Sequence, residues 1–399
     1  WDIGAAFGTV AGKKDEITVE ITTYRSESYD RASRKPDVEF GKSIEADLAR
    51  RDFTINAMAL ELTTDEPAFI DLFNGVLDLQ KKIIKTPGKA EDSFSDDPLR
   101  MMRAARFMSQ LNFEVDESVL VAIKNMAARL EIISAERIRD EFIKIMMSSS
   151  PRLGITLLVE TGLSDYFLPE VPKLKLEIDE HHHHKDVYEH SLTVLEQAIA
   201  LEDRLSGANL TLRLAALLHD IGKPKTKQLI AGGGVSFHHH EVVGARMCKE
   251  RMKKLRFDNH IINDVSQLVF LHLRFHGYGS GEWTDSAVRR YVRDAGELLT
   301  HLHLLTRADC TTRNKKKAEG LARTYDQLEE RIELLMQQEE LNKIRPDLSG
   351  EQIMEILGIK PSPAVGKAYD FLLELRLEHG PLGEEKAKQA LLTWQKEQK

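Results

Sequence analysis

The spacing of apolar and polar residues changes once along the chain. In AAFGTVAGKKDEITVEITTYR, residues 5–25, two β-rich runs flank turn residues, which predicts a hairpin. Glu20 lies between two apolar residues of the second run. From Ile44 onward the apolar period becomes that of helices. The sequence therefore predicts a small α+β part followed by a long helical part.

Several helices are predicted individually. One runs from about Asp97 to Leu111, and Ser134 is the expected N-cap of the helix in SAERIRDEFIKIMMS. The stretch DLFNGVLDLQKKIIKT, residues 71–86, is predicted as a turn plus a short strand or helix. Further helices are expected in DESVLVAIKNMAARL and PRLGITLLVETGL, from about residue 314 to 345, and in a smaller piece after Pro346.

Composition changes abruptly at LPEVPKLKLEIDEHHHHKD, residues 168–186, where two prolines precede a histidine run, and we predict a domain boundary there. A composition of 42% apolar and 30% charged residues is typical of a globular protein. The two cysteines, Cys248 and Cys310, lack metal-ligand spacing, which favours a reducing compartment. With no bilayer-length apolar run and no leader, we expect a cytoplasmic protein without a membrane partner.

The net charge of -8 implies that any nucleic-acid binding depends on local basic patches. One is the arginine set of DDPLRMMRAARF, residues 96–107, and another is RNKKK, residues 313–317, for which solvated charge is an equally good interpretation. The chain starts with Trp1 rather than methionine, so we expect it to be part of a longer protein.

In DDPLRMMRAARF, four charged residues recur every third position and sweep one broad face of a helix: Asp97, Arg100, Arg103 and Arg106. Three arginines with one nearby carboxylate would repel one another unless they met anions, and triphosphate oxygens or base edges are natural partners. A carboxylate accepts from an exocyclic amino group while a guanidinium donates to a ring acceptor, so an Asp and Arg pair favours cytosine and adenine.

The segment RRDFTINAMA, residues 50–59, is predicted as a helix held by four apolar residues: Phe53, Ile55, Ala57 and Met58. Asp52 and Asn56 are expected to make structural hydrogen bonds at the same junction. Glu20 alone has two interpretations, a solvent-facing glutamate or a metal-binding carboxylate on a sheet.

Four motifs, RRDFTINAMA, DLFNGVLDL, DDPLRMMRAARF and SAERIRDEFIK, resemble in order and spacing the bacterial class II tRNA nucleotidyltransferase and poly(A) polymerase family. The resemblance implies a template-independent enzyme in which the RNA 3′ hydroxyl attacks the α-phosphorus of CTP or ATP with the help of Mg²⁺. The implied partner is the 3′ end of tRNA. Arg51 and the set Asp97, Arg100, Arg103 and Arg106 would then bind the nucleotide, with Asp97 and Arg100 as the protein template and Glu20 as the third catalytic carboxylate.

One departure from the family concerns the start of the head. The family has a Gly-Gly loop and then a strand with an Asp-x-Asp pair that holds two magnesium ions, whereas this chain enters at what looks like the following strand. We therefore expect a fragment of an active enzyme. A chain without the Asp-x-Asp pair is expected to bind nucleotide poorly and to transfer nothing.

Histidines point to a second kind of chemistry, because fourteen of the fifteen lie between His181 and His303. His190 shares a helical stripe with Val187 and Val194, and His219 with Asp220 ends an apolar helix. Asp309 lies on the apolar stripe of its own helix. Each could be a hydrogen-bonded core residue, but burying two carboxylates without a cation would cost several kcal/mol.

The set His190, His219, Asp220 and Asp309 resembles the ligands of the HD phosphohydrolase superfamily. The resemblance implies a divalent metal and phosphatase or cyclic phosphodiesterase activity on RNA ends or nucleotides. Mixed imidazole and carboxylate ligands suit Mn, Ni, Co or Mg better than structural zinc. His238, His240 and His272 are either ligands of a second metal or surface residues, and the run at 181–184 flanks the site or faces solvent.

The predicted fold class is thus an α+β head, a truncated nucleotidyltransferase fold with a small mixed sheet, then a mostly all-α neck and body and an all-α HD domain. The predicted domains are residues 1–62, 63–175, 176–320 and a C-terminal helical region 321–399. The leading hypothesis is CCA addition to tRNA. A poly(A) polymerase of the same family, and an HD metal phosphohydrolase with a non-catalytic RNA-binding head, remain as alternatives.

Overall fold

The structure is a computed structural model that describes residues 9–15, 17–28, 37–40, 43–63, 65–175, 186–230, 235–275, 284–311, 315–339 and 344–398. The chain divides into two compact units. The first comprises Trp1–Tyr188 with Glu250–Asn259, and the second comprises Glu189–Lys249 with His260–Lys399. The histidine run at 181–184 lies outside the described residues.

The predicted hairpin is present at the start of the first unit. Strand β1 pairs antiparallel with β2, with Thr9 opposite Thr22 and Ala11 opposite Glu20. Asp15 takes the left-handed conformation, φ +55°, that a tight turn requires. The described strands of this unit form four small ladders, three antiparallel and one parallel. They are β1 (Thr9–Lys14) with β2 (Ile17–Thr22), β3 (Arg25–Ser28) with β4 (Asp37–Phe40), β5 (Ala59–Glu61) with β6 (Ala68–Ile70), and β7 (Ile83–Ile84) with β8 (Glu114–Val115).

Helices predominate from residue 44, as the apolar period predicts, although the short strands β5 to β8 also lie beyond that residue. Up to residue 160 they are α1 (Ile44–Ala49), α2 (Gly75–Lys81), α3 (Ala90–Asp96), α4 (Leu99–Leu111), α5 (Glu117–Met126), α6 (Ala135–Met146) and α7 (Pro151–Glu160). Helix α4 is the centre of this part, since it packs against both α6 and α7. A Cβ on Gly154 would lie 2.2 Å from Ser109 Oγ, so glycine is what lets α7 approach α4 this closely.

The segment RRDFTINAMA is not the helix that we predicted. It forms a 3₁₀ turn, Thr54–Asn56, and then enters β5 at Ala59. The reason is local, because Asp52 Oδ1 accepts from Phe53 N (2.9 Å) and from Asn56 Nδ2 (3.1 Å), and such side-chain bonds compete with helix formation. Those two bonds are the ones expected of Asp52 and Asn56. Phe53 and Ala57 are completely buried and anchor the segment.

From residue 187 onward the described chain is almost entirely helical, and it contains one short antiparallel ladder, β9 (Gln228–Leu229) with β10 (Val235–Ser236). Its helices are α8 (Val187–Ala200), α9 (Leu210–Leu218), α10 (Lys223–Thr226), α11 (His240–Lys254), α12 (Asn259–Leu271), α13 (Asp285–Ala295), α14 (Leu299–Ala308), α15 (Lys315–Glu339), α16 (Gly350–Leu357), α17 (Pro363–His379) and α18 (Glu384–Glu397). The last three share a small core around Ile353, Leu372 and Leu391. Among the described helices, none has both the length and the apolar character that crossing a bilayer demands. The predicted fold class is confirmed.

Candidate functional site

A cavity of about 450 Å³ opens in the first unit, and we call it the head cavity. The predicted residues Glu20, Arg51, Asp97, Arg100 and Arg103 all line it. Residues that sequence reasoning did not single out also line it, among them Asp47, Arg50 and Arg137. Charged side chains of both signs therefore meet at one concave surface.

Two buried aspartates hold arginines at the cavity. Asp47 is 4% exposed and pairs with Arg50, and its Oδ2 accepts from Arg51 Nη2 at 3.3 Å. Asp52 Oδ2 accepts from Arg103 Nε at 2.7 Å. Arg51 keeps almost half of its side-chain area exposed, so its guanidinium is oriented by a carboxylate and still accessible.

Arg100 is fixed by neutral acceptors. Its Nη1 donates to Ser93 Oγ at 2.9 Å and its Nη2 donates to the carbonyl of Arg50. Only 9% of the residue is exposed. Because the carbonyl belongs to the segment that carries Arg51, Arg100 joins the start of α4 to the RRDFTINAMA segment.

Asp97 lies just before α4, and its two carboxylate oxygens have different partners. Oδ1 accepts from Leu99 N at 3.1 Å, as an N-terminal capping group does, and Oδ2 accepts from Arg137 Nη2 at 2.9 Å. Arg137 lies on α6, in the motif SAERIRDEFIK. That motif supports the family resemblance, but none of its residues was predicted to belong to the site. The ordered carboxylate therefore faces the cavity from a fixed position.

Arg106 does not line the head cavity. Its Nη1 donates to Glu141 Oε1 at 3.0 Å, both side chains are nearly completely buried, and the guanidinium lies 4.5 Å from the Phe107 ring centre. The expectation that the arginines of α4 have only one nearby carboxylate is therefore wrong, because the fold brings them Asp52 and Glu141. Their presence alone does not require an anionic ligand.

Glu20 lies on an exposed strand at the edge of the head cavity. Its position in the middle of β2, opposite Ala11, is set by the hairpin register. The carboxylate is accessible to a ligand in the cavity.

In the second unit, imidazole and carboxylate groups converge on one point, and we call them the histidine centre. His190 Nε2 lies 2.9 Å from Asp309 Oδ1 and 3.3 Å from His219 Nε2. His240 Nε2 lies 3.3 Å from His272 Nε2. The ligand atoms fall into two groups that could each hold a metal ion: His190, His219 and Asp309, and Asp220, His240 and His272.

In every histidine of the centre, Nε2 faces the centre and Nδ1 lies within hydrogen-bond distance of a group outside it. Nδ1 of His219, His240 and His272 lies 2.9, 2.8 and 2.6 Å from a backbone carbonyl oxygen. His190 Nδ1 lies 3.1 Å from the hydroxyl of Thr311. A proton held on Nδ1 leaves the Nε2 lone pair to face the centre, which is the arrangement of metal-bound histidines in proteins. The donor set therefore fits divalent metal.

Asp220 lies between the two groups and contributes one oxygen to each side. Its Oδ2 is 3.2 Å from His219 Nε2, and its Oδ1 is 3.2 Å from His240 Nε2. Lys223 Nζ donates to Oδ2 at 2.6 Å. The carboxylate is 1% exposed, so a position between two cations matches its charge and its burial.

The close packing of these groups shifts their pKa values in opposite directions. Burial alone would lower the pKa of His219, but the charges of Asp220 and Asp309 raise it to about 9. Burial would raise the pKa of Asp220, yet the neighbouring His219 and Lys223 hold it well below the usual range. For His272, burial and the charge of His219 lower the pKa to about 4. His272 is thus neutral at pH 7, whereas His219 is protonated and would release its proton when a metal ion binds.

All members of the centre except His190 lie at helix ends, where the backbone turns. His219 and Asp220 follow α9, which Asn209 caps through a 2.9 Å bond to Leu212 N. His240 begins α11, while His272 follows α12 and Asp309 follows α14. Helix ends from separate parts of the chain therefore assemble the centre.

The sequence prediction and the structure differ at three residues in or near the histidine centre. His238, named with His240 as a candidate second-metal ligand, is exposed and contributes no ligand atom to either group. Lys223 was missed, although its place three residues after Asp220 in HDIGK puts it within one helical turn of the carboxylate. No spacing rule connects Thr311 to His190, which is 121 residues away.

Three family models match the chain in succession. The Poly A polymerase head domain matches residues 1–85, the "Probable RNA and SrmB- binding site of polymerase A" matches residues 112–174, and the HD domain matches residues 187–314. The range matched by the head-domain model contains the cavity residues Glu20 and Arg51. The range matched by the HD model contains the histidine centre.

Curated relatives agree with these models. The chain is 34% identical over 341 residues to the A-adding tRNA nucleotidyltransferase of Deinococcus radiodurans, an alignment that covers 84% of this chain and 75% of that protein. It is 46% identical over 165 residues to a CCA-adding enzyme of Lactobacillus delbrueckii, which covers 41% of each. The chain thus matches about two fifths of the length of that second relative.

Solved structures show the same fold. The CCA-adding enzyme of Bacillus stearothermophilus in complex with CTP superimposes with a TM-score of 0.69 over 100% of this chain and 84% of that chain, at 22% identity. The Thermotoga maritima CCA-adding enzyme complexed with tRNA gives a TM-score of 0.53 over 98% and 82%, at 18% identity. With this fold, three successive family models and a relative at 34% identity, the chain belongs to the tRNA nucleotidyltransferase and poly(A) polymerase family of nucleotidyltransferases.

Proposed function

We propose that the natural protein containing this chain adds nucleotides to the 3′ end of tRNA, using CTP and ATP. The observation that carries the proposal is the head cavity, where accessible and oriented cationic groups meet ordered carboxylates. Relatives named CCA-adding and A-adding enzymes support the same substrate.

Each cavity residue has a proposed role. The guanidinium of Arg51, oriented by Asp47, binds triphosphate oxygens. Arg103 and Arg100 hold the surrounding cavity surface in place through their hydrogen bonds to Asp52 and Ser93. Arg106 contributes indirectly, by fastening α4 through Glu141. Asp97 and Arg100 read the base, with the carboxylate accepting from the amino group of cytosine or adenine.

In the reaction, the RNA 3′ oxygen forms a bond to the α-phosphorus, the bond from that phosphorus to the pyrophosphate oxygen breaks, and the hydroxyl proton is released to solvent or a base. Magnesium ions, when bound, supply neutralisation of the charge that develops on these oxygens. Glu20 is the side chain of this chain proposed to hold them, because its carboxylate is exposed at the cavity edge.

The test uses the full-length natural protein and tRNA that lacks its terminal CCA. Incubation with CTP alone should add C residues, and CTP with ATP should add CCA and then stop. Unlimited addition of A would overturn the proposal in favour of a poly(A) polymerase. Since the Deinococcus radiodurans relative is an A-adding enzyme, a second candidate is addition of A alone, which would require tRNA that already ends in CC.

We further propose that the histidine centre hydrolyses phosphate esters of RNA ends or nucleotides with divalent metal. The main support is that four histidine Nε2 atoms and two carboxylates converge on one point. In three of these histidines Nδ1 lies near a backbone carbonyl oxygen, which leaves Nε2 for the metal. His190, His219 and Asp309 would hold one ion and His240 and His272 the other, with Asp220 between them. Metal bound there supplies activated water and charge neutralisation.

Hydrolysis is tested with His219→Ala and Asp220→Ala. Both should lose phosphohydrolase activity and bound divalent metal, measured by elemental analysis, and keep nucleotide addition. His260→Ala is the matched control, because its imidazole is 82% exposed and lies outside the centre. Full hydrolysis by both variants would exclude the centre from catalysis.

A further inference from the structure

A second cavity, of about 360 Å³, opens in the second unit. Helix α8 contributes Gln197 and Ala200 to its lining, and helix α15 contributes Ala318 and Ala322. The end of α14 contributes Arg307, and Cys310 follows that end. We call this cavity the alanine cleft.

The alanine cleft adjoins the histidine centre along the chain. Cys310 directly follows the ligand Asp309, so their Cα atoms are about 3.8 Å apart. Gln197 lies two turns after His190 on α8, about 10 Å along the helix axis. The elements that carry two ligands of one metal group therefore also form two walls of the cleft.

The cleft is walled by small and apolar side chains on one side. Ala318 and Ala322 are four residues apart and so lie on one face of α15. Methyl groups there leave room for a flat ring against the helix. A volume of about 360 Å³ lies in the range of small-molecule pockets.

Two larger side chains of the lining, Tyr325 of α15 and Arg307, are held in place by hydrogen bonds. Arg307 Nη2 donates to Asp326 at 2.7 Å and its Nε donates to Glu329 at 3.2 Å. The Tyr325 hydroxyl donates to the carbonyl of Thr306 at 2.8 Å, and the Tyr325 ring stacks on Phe275 with ring centres 3.9 Å apart. A planar molecule with apolar faces and hydrogen-bond acceptors at its edge matches these walls.

We propose that the alanine cleft binds the nucleobase of the nucleotide whose phosphate is hydrolysed at the histidine centre. This inference rests on the proposed phosphohydrolase function. A nucleobase has an apolar face for the alanine side of the cleft and edge acceptors for the guanidinium of Arg307. Cys310 of the cleft is adjacent in the chain to Asp309, a proposed ligand of the metal at which the phosphate would be hydrolysed. The same base could belong to a free nucleotide or to the last residue of an RNA.

The test compares substrates with and without a base in the full-length protein. The substrates are adenosine 2′,3′-cyclic phosphate, a short RNA ending in a 2′,3′-cyclic phosphate, and glycerol 1,2-cyclic phosphate, which has no ring system of a base. Ala322→Phe fills the cleft from an exposed position, and Ala318→Phe fills it from one turn earlier. Ala364→Phe, on an exposed part of α17 outside the cleft, is the matched control.

Stacking of a base is worth about 1–3 kcal/mol. The ratio of kcat/KM for the adenosine substrate over the glycerol substrate should therefore fall at least about 5-fold in both cleft variants, and stay unchanged in Ala364→Phe. A fall for the RNA substrate alone identifies the cleft as a site for the terminal base of RNA. An unchanged ratio for both ring-bearing substrates overturns the cleft proposal, while hydrolysis of the glycerol substrate that survives His219→Ala overturns the phosphohydrolase function itself.

Discussion

Gly222→Ala is expected to damage one half of the histidine centre selectively. A Cβ at this position would lie 2.1 Å from the carbonyl oxygen of His240 and 2.8 Å from Gly244 N. Ordinary contacts begin near 3.5 Å, so the backbone at His240 must move by about 1 Å or more. His240 starts α11 and presents its Nε2 to Asp220, so this movement carries a proposed metal ligand away from its carboxylate.

The expected size of the effect follows from this displacement. Overpacking of this kind costs about 1–3 kcal/mol of stability, and a catalytic group misplaced by about 1 Å can cost roughly 100-fold in rate. The variant should bind one divalent metal per chain, one fewer than the two proposed for the unaltered protein, because the clash does not involve His190, His219 or Asp309.

Gly244→Ala is the matched control for this experiment. It adds a methyl group to the facing segment, but its Cβ would meet Gly222 N at 3.3 Å, a contact that needs a shift of only a few tenths of an ångström. Metal content by elemental analysis and thermal unfolding would be measured for both variants. Two metals per chain and an unchanged unfolding temperature in Gly222→Ala would refute the close-approach reasoning.

Three further predictions test other parts of the structure. Glu202→Ala should lower the free energy of unfolding, measured in urea, by about 3–5 kcal/mol, because it breaks the buried ion pair in which Arg213 donates two hydrogen bonds to Glu202. Arg204→Ala, at an exposed pair, should cost about 0–1 kcal/mol. Arg106→Ala should destabilise the protein, because it breaks the buried pair with Glu141. Arg51→Ala should raise the KM for nucleotide by about 10-fold or more without loss of stability. A stable Arg106→Ala with a raised KM, or a destabilised Arg51→Ala with an unchanged KM, would refute these assignments. Burial favours the neutral acid of Glu329, but bonds from one histidine and two arginines hold its pKa below the usual 4.5. Its folded pKa is depressed, so its stabilisation is present above pH 4.5 and is lost as the pH falls below that value; the difference in unfolding temperature between Glu329→Gln and the unaltered protein should narrow there.

Sequence periodicity was sufficient for the helices and for the β1–β2 hairpin, because both depend on local patterns. The RRDFTINAMA segment shows the limit. Its apolar spacing is compatible with a helix, but Asp52 Oδ1 accepts hydrogen bonds from Phe53 N and Asn56 Nδ2, and the segment forms a 3₁₀ turn instead. Whether a short polar side chain forms a hydrogen bond with the nearby backbone depends on local geometry, and the spacing of apolar residues does not predict that geometry.

The same distinction applies to the sites. His190, His219 and Asp309 could be named because each lies on or beside an apolar helical stripe, and the fold brings them together. The partner of Arg106, by contrast, is Glu141, 35 residues away on another helix. A charge pattern within one helix cannot reveal carboxylates that tertiary packing brings to it, so the sequence alone predicts an external anion for the arginines of α4.

The selectivity of Asp97→Ala in the full-length natural protein tests most directly whether the head cavity chooses the base. Incorporation of CMP, UMP, AMP and GMP onto tRNA lacking CCA would be measured for this variant and for Asp92→Ala, an exposed aspartate of α3. Loss of a base-reading pair worth about 1–3 kcal/mol should reduce the preference for C and A over U and G by about 5-fold to 150-fold, and Asp92→Ala should keep it. An Asp97→Ala variant that retains full preference for C and A would contradict base selection by this carboxylate.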